Sequence, residues 1–127
     1  MYPKDLKYDK EHEWVKVEGD VVTIGISHFA QDQLGEVVYV DLPSVGDAVT
    51  AGETFGEIES VKSVSELFSP VTGEIVEVND GLSDAPEVVN EDPYGDGWMI
   101  KVSLGDTAEL DELMAAEEYE AFVSEEA

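Results

Sequence analysis

The sequence contains no cysteine. Disulfides, thiolate nucleophiles and cysteine-type zinc sites are therefore excluded, and any sulfur or redox chemistry must come from a group attached to the chain. Cations are nearly as scarce. Of 127 residues only 6 are basic, all of them lysine, against 31 Asp and Glu, for a formal net charge of −25. Phosphate contacts need clustered cations, so this composition points away from nucleic acid as a partner. Anionic membranes are disfavoured for the same reason. No apolar run approaches the roughly 18–20 residues needed to span a bilayer. The N-terminal region holds Asp5 and Asp9 and has neither the charged-then-apolar order of a signal peptide nor the acid-poor composition of a transit peptide. The expected location is the cytoplasm. Only two histidines occur, His12 and His28, and their spacing is not that of metal ligands. His28 reads as a surface residue and His12 as structural. No Ser/His/Asp constellation and no glycine-rich phosphate loop is present.

What remains is a chain of one-domain size, residues 1–127, with 43% hydrophobic residues, enough for a single core. Self-repulsion at −25 weakens a compact state in dilute buffer. A Debye length of about 3 Å at 1 M salt would screen it, so the acidity predicts a salt-rich, halophilic cytoplasm. An acidic docking surface for basic partners is the rival reading.

Short period-2 segments recur along the chain. They include Val22-Thr23-Ile24-Gly25-Ile26, Val37 to Val40, Ile75 to Val78 and Trp98 to Val102. Phe55, Glu57 and Glu59 alternate with Gly56 and Ile58, and Val64, Glu66 and Phe68 with Ser65 and Leu67. Turns are marked by Glu18-Gly19-Asp20, Val45-Gly46-Asp47, Ala51-Gly52 and Thr72-Gly73. This spacing predicts a mainly β sandwich or barrel. Three helical pieces decorate it. Ser27 caps a short helix that runs to Leu34 and stops at Gly35. Asp84, Pro86 and Glu87 mark a second start. A C-terminal segment, about 106–124, opens with Asp106 and Glu109 and carries two apolar sets, Leu110-Leu113-Met114 and Tyr119-Phe122-Val123. Residues Ser124 to Ala127 are expected to fray. Trp14 and Trp98 read as core or cleft-wall aromatics.

Lys62 stands apart. Between Val17 and Ile100 it is the only lysine or arginine, in a stretch crowded with Asp and Glu. The segment Glu59-Ser60-Val61-Lys62-Ser63-Val64-Ser65 places it between two short alternating runs, so it is expected at the tip of a β-hairpin. Ser60 and Ser63 suit the turn, and Val61 and Val64 are expected to alternate inward. A protruding amine on a rigid support is what a modifying enzyme needs.

That stretch, with Ser69-Pro70-Val71-Thr72-Gly73-Glu74 downstream, resembles the lipoylation hairpin of the glycine cleavage system H-protein family. Further blocks match in order: His12-Glu13-Trp14-Val15, Val22 to Ile26, Phe29-Ala30-Gln31 through Leu34-Gly35, Leu42-Pro43 with Val45-Gly46-Asp47, Asn90 to Tyr94, and Gly97 to Lys101. The resemblance covers roughly Leu6 to Val123. It implies a barrel-sandwich hybrid of the lipoyl- and biotinyl-carrier kind, with a lipoyl-like core at about 20–103, and a protein that catalyses nothing itself.

By the same resemblance, lipoic acid is linked through an amide to Lys62. The arm accepts an aminomethyl group from a pyridoxal-phosphate glycine decarboxylase (P protein) and presents it to a tetrahydrofolate-dependent aminomethyltransferase (T protein). Dihydrolipoyl dehydrogenase (L protein) then reoxidises it. A lipoylating enzyme is the fourth partner, and shuttling among these enzymes favours a monomer. Glu13 matches a carboxylate at the mouth of the cleft that shelters the loaded arm, and Glu66 stands where the family has an acidic residue. Gln33 departs from the histidine of some members, and Ser63 from a common alanine. A lipoyl relay or sulfur carrier shares all these features. A biotinyl carrier usually has Met on both sides of its lysine, whereas Val61 and Ser63 flank Lys62.

Overall fold

A computed structural model, which describes residues 2–126, arranges the alternating segments as antiparallel strands in two sheets. The larger sheet has the spatial order β1 (Lys7–Tyr8), β2 (Glu13–Glu18), β3 (Val21–Ile26), β9 (Ile100–Leu104), β8 (Gly73–Val78) and β5 (Ala48–Val49). The smaller has β6 (Thr54–Ser60) between β4 (Val37–Asp41) and β7 (Val64–Phe68). Their inward faces meet in one core, where Val15, Ile24 and Ile100 of the larger sheet pack with Val40, Ile58 and Leu67 of the smaller. Strand pairing does not close the two sheets into a barrel among the described residues.

The expected alternation breaks in β6. Its register against β7 shifts between Thr54 and Gly56. Such a bulge rotates the residues before it. Phe55, 8% exposed, therefore turns inward with Ile58, while Glu57 and Glu59 face solvent. Thr72-Gly73 is likewise less a turn than a strand start. Gly73 pairs with Leu104 and Val49, and a Cβ there would collide with the Ser103 carbonyl.

Helix α1 (His28–Leu34) follows its sequence signals. Ser27 Oγ accepts the Ala30 N–H at 3.2 Å, and Gly35 ends the helix at φ 83°. The second helix does not start at Asp84. Asp84 instead closes α2 (Gly81–Asp84), and α3 (Val88–Glu91) begins after Glu87 with no side-chain cap. Pro86 is the cause: it disfavours helical backbone at Ala85, which sits at φ −139°, ψ 66°. The C-terminal segment, expected as one helical piece, divides into a 3-10 helix (Thr107–Glu112) and α4 (Ala116–Glu126), with Leu113 and Met114 between them and Met114 bridging to Tyr8. Asp106 caps the first by accepting the Ala108 N–H at 2.9 Å. Glu109 instead accepts the Thr72 N–H at 2.7 Å and the Thr72 hydroxyl at 2.9 Å, tying the segment to the start of β8. Helix α4 runs on through Glu126 rather than fraying at Ser124; Ala127 lies outside the described residues. Tyr119 on α4 stacks on Tyr8 at 4.5 Å between centroids, with Tyr2 edge-on at 5.0 Å. No described helix is long and apolar enough to cross a membrane.

Candidate functional site

The turn between β6 and β7 is three residues long, Val61-Lys62-Ser63. Ser60 organises it. Its hydroxyl oxygen accepts the N–H groups of Lys62 at 3.1 Å and Ser63 at 3.2 Å, while its own N–H donates to the Ser63 carbonyl at 2.8 Å. The Val61 N–H donates to the Glu36 carbonyl at 3.0 Å, fastening the tip to the chain that enters β4. Lys62 is exposed at the bend, as its sequence context predicts. Val61 and Val64 are not turned inward, however: they are 66% and 59% exposed. With the Ser60 side chain spent on the turn inside the hairpin, alternation sends Glu59 and its partner Val64 to the solvent face.

The stem of Lys62 lies along Gly35. A Cβ at Gly35 would stand 3.0 Å from Lys62 Cε, and its φ of 83° also favours glycine. Asn90 holds this floor in place. Its amide nitrogen donates to the Gly35 carbonyl at 2.8 Å and to Gln31 Oε1 at 3.0 Å, and its oxygen accepts the Val37 N–H at 2.8 Å. One side chain on α3 thereby joins α1 and β4 beneath the lysine. Asn90 is visible in the sequence only as part of a matching block; nothing local to it signals this role.

A cleft of about 600 Å³ opens beside the hairpin, among α1, β7 and the β1–β2 turn. Its apolar wall includes Ile26, Phe29, Leu34, Ile58 and Leu67, and its polar groups include Glu11, His12, Gln33, Ser63, Ser65 and Glu66. Glu66 and Ser63, the residue after Lys62, thus line one cleft. Glu66 is exposed at its edge, in register with Glu57 of β6. Gln33 lines the same cleft. His12 walls it in the left-handed region, φ 67°. Its Nδ1 is 2.9 Å from the Tyr119 hydroxyl, which is 2.6 Å from Ser27 Oγ, and its ring tilts against Phe29 at 4.9 Å. His12 is structural, as expected, and His28 is exposed.

Glu13 is not at the cleft mouth. It is 1% exposed and does not line the cavity, although Glu11, His12, Phe68 and its cross-strand partner Ile26 do. Neither carboxyl oxygen has a hydrogen-bond partner. Burial, then the neighbouring Asp9 carboxyl, holds its pKa well above the ordinary value of 4.5. Asp9 Oδ1 accepts the Glu13 N–H at 2.9 Å, which brings the Asp9 carboxyl beside this residue.

The glycine cleavage H-protein family model matches residues 6–126. The glycine cleavage system H protein of Carboxydothermus hydrogenoformans is 56% identical over 126 residues, covering 99% of this chain and 97% of that protein. That of Bacillus pumilus is 60% identical over 124 residues, covering 98% of each. The fold is similar to the crystal structure of a glycine cleavage system H protein from Mycobacterium marinum, with a TM-score of 0.89 at 41% identity over 96% of this chain and 98% of that one.

Proposed function

This chain belongs to the glycine cleavage H-protein family, and from that premise we propose that Lys62 is the residue through which it works. The protein is a non-catalytic, lipoyl-carrying shuttle of the glycine cleavage system. It carries the aminomethyl group from the pyridoxal-phosphate glycine decarboxylase to the tetrahydrofolate-dependent aminomethyltransferase and is then reoxidised by dihydrolipoyl dehydrogenase. When bound, the lipoyl group supplies a disulfide that takes up the aminomethyl carbon and is regenerated after delivery. Everything else is the work of this chain's residues: presentation, shelter and address.

The observation that carries the Lys62 assignment is the presentation of its amine. It is exposed on a three-residue bend whose backbone Ser60 holds in place. A rigid support lowers the ordering cost when a lipoylating enzyme grips the turn. Acylation removes the lysine's charge, so the arm has no reason to fold back onto nearby carboxylates. The cleft beside it suits a hydrocarbon arm on its apolar wall. Glu66 at the cleft's edge suits the charged amine of the cargo; the buried carboxyl of Glu13, which lies outside the cavity beside His12 and Ile26, receives that amine when loading opens this wall. We read residues 1–127 as one carrier domain, its lipoyl-like core at about 20–103, acting as a monomer in the cytoplasm without nucleic-acid or membrane partners.

Intact mass of protein from a lipoylating host tests the assignment. We expect one added lipoyl group, its complete loss in Lys62→Arg, and loss of glycine cleavage by that variant in a reconstituted system. An arginine variant that is still lipoylated, or fully active, refutes it.

A further inference from the structure

Among the described residues Glu13 is the only carboxylic acid that is fully buried, and the turn before it is built around another acid. Asp9 Oδ1 accepts the N–H of Glu11 at 3.0 Å and that of Glu13 at 2.9 Å. The Asp9 N–H donates to the Glu13 carbonyl at 3.1 Å, and the His12 N–H donates to the Asp9 carbonyl at 3.2 Å. The carboxyl that shapes this β1–β2 turn is thereby held against Glu13. The two are unequal. Asp9 has two N–H donors that stabilise its ionised form, whereas the oxygens of Glu13 have none. Burial raises the pKa of both carboxyls, and only the Phe68 N–H approaches that of Glu13. Two neighbouring carboxyls that cannot both ionise share one proton, and the two full hydrogen bonds to Asp9 put that proton on Glu13.

We propose that Asp9 is a positioning residue that keeps Glu13 protonated while the cleft is empty, so that seating the ammonium of the cargo ionises Glu13 and releases one proton to solvent. The inference rests on reading Glu13 as the carboxyl that receives the amine. The step balances. The Glu13 O–H bond breaks and its proton leaves, the ammonium N–H donates to the new carboxylate, and no electrons are transferred. Before loading, the interior avoids an unpaired buried charge, which is costly; after loading, it holds a paired one. The other ionisable groups around Glu13 do not take over the part of Asp9. Glu11 on the same turn and Glu66 on β7 are exposed acids that would only add repulsion. His12 and Tyr119 of α4 are bonded to one another, and Tyr119 also to Ser27.

Asp9→Asn is the discriminating variant, because it removes the charge yet keeps Oδ1 as acceptor for both N–H groups. On unmodified protein, the infrared band of a protonated carboxyl is followed against pH and assigned to Glu13 by its loss in Glu13→Gln. We expect the band at neutral pH in the unmutated protein and a midpoint lower by about 1–3 pH units in Asp9→Asn. On lipoylated protein loaded with the aminomethyl group, retention of cargo is measured against pH, with Glu13→Gln as the unsheltered baseline. Its acid limb should move to lower pH in Asp9→Asn. Equal midpoints in Asp9→Asn and the unmutated protein, alongside lost retention in Glu13→Gln, overturn the role of Asp9 and leave Glu13 standing. Undiminished retention in Glu13→Gln removes both. Absence of the Glu13 band from the empty, unmutated protein at neutral pH overturns the proposal without any variant.

Discussion

A carboxyl placed like that of Glu13 leaves a mark on stability as well as on binding. Its folded-state pKa is raised above the ordinary value of 4.5. Below that value the acid is protonated in both the folded and the unfolded chain and contributes no pH dependence. As pH climbs toward the raised value, the unfolded chain ionises freely and the folded chain does not, so stability falls. Glutamine never ionises. Urea unfolding of the parent and Glu13→Gln, from acid to neutral pH in molar KCl, should therefore show the difference moving steadily in favour of the variant as pH rises. A pH-independent difference would mean that Glu13 ionises at no cost where it sits. At this scale Lys62 is legible in the sequence because a lone cation stands out from an acidic field, and its serines carry turn chemistry in their own side chains. The outward turn of Val61 and Val64 is not legible, because a valine in a strand reads as core until the face is known.

At the scale of elements, α4 packs through Ala116, Tyr119 and Val123, and the Tyr119 hydroxyl adds a polar tie. Tyr119 is fully buried, and its hydroxyl joins Ser27 at the start of α1 to His12 at the cleft wall, at 2.6 and 2.9 Å. Tyr119→Phe keeps the stack on Tyr8 but leaves the buried Ser27 hydroxyl short of a partner. The expected loss is about 1–3 kcal/mol in urea unfolding. A change within a few tenths would show that stacking alone holds the helix. Helix α1 is readable from Ser27 and Gly35, because both ends of a helix advertise themselves in capping residues. The start expected at Asp84 fails for an equally local reason: Pro86 suits a first helical turn by composition, whereas its constraint on Ala85 divides the segment. The C-terminal segment, expected as one helical piece, breaks where Met114 pairs with Tyr8, and Glu109 is a tie to Thr72 rather than part of a cap.

Over the whole molecule, 31 acidic residues surround a core that draws from both sheets. Repulsion on that scale is long-ranged at low salt and screened within about 3 Å at 1 M. Thermal melts should therefore show the midpoint rising by many degrees between dilute buffer and molar KCl. A midpoint unchanged across that range would end the halophile reading and leave an acidic docking surface as the reason for the charge. The cleft draws on both layers: β3 of the larger sheet contributes Ile26, and the smaller sheet contributes Ile58 and the residues of β7 and carries Lys62 on its bend.

The chain alone determined the local matters: period-2 strands, the capped first helix, a serine-braced turn around Lys62, and the exclusion of cysteine thiol chemistry. Each of these depends on residues within a few positions of one another, or on composition. Only the tertiary structure decided that Glu13 is buried with no full hydrogen bond to its carboxyl, that Asp9 Oδ1 accepts its N–H, that Asn90 underlies the lysine, and that Phe55 faces inward across a bulge. Those are facts about which distant segments meet and what water they exclude, and no local pattern encodes the desolvation of a single carboxyl.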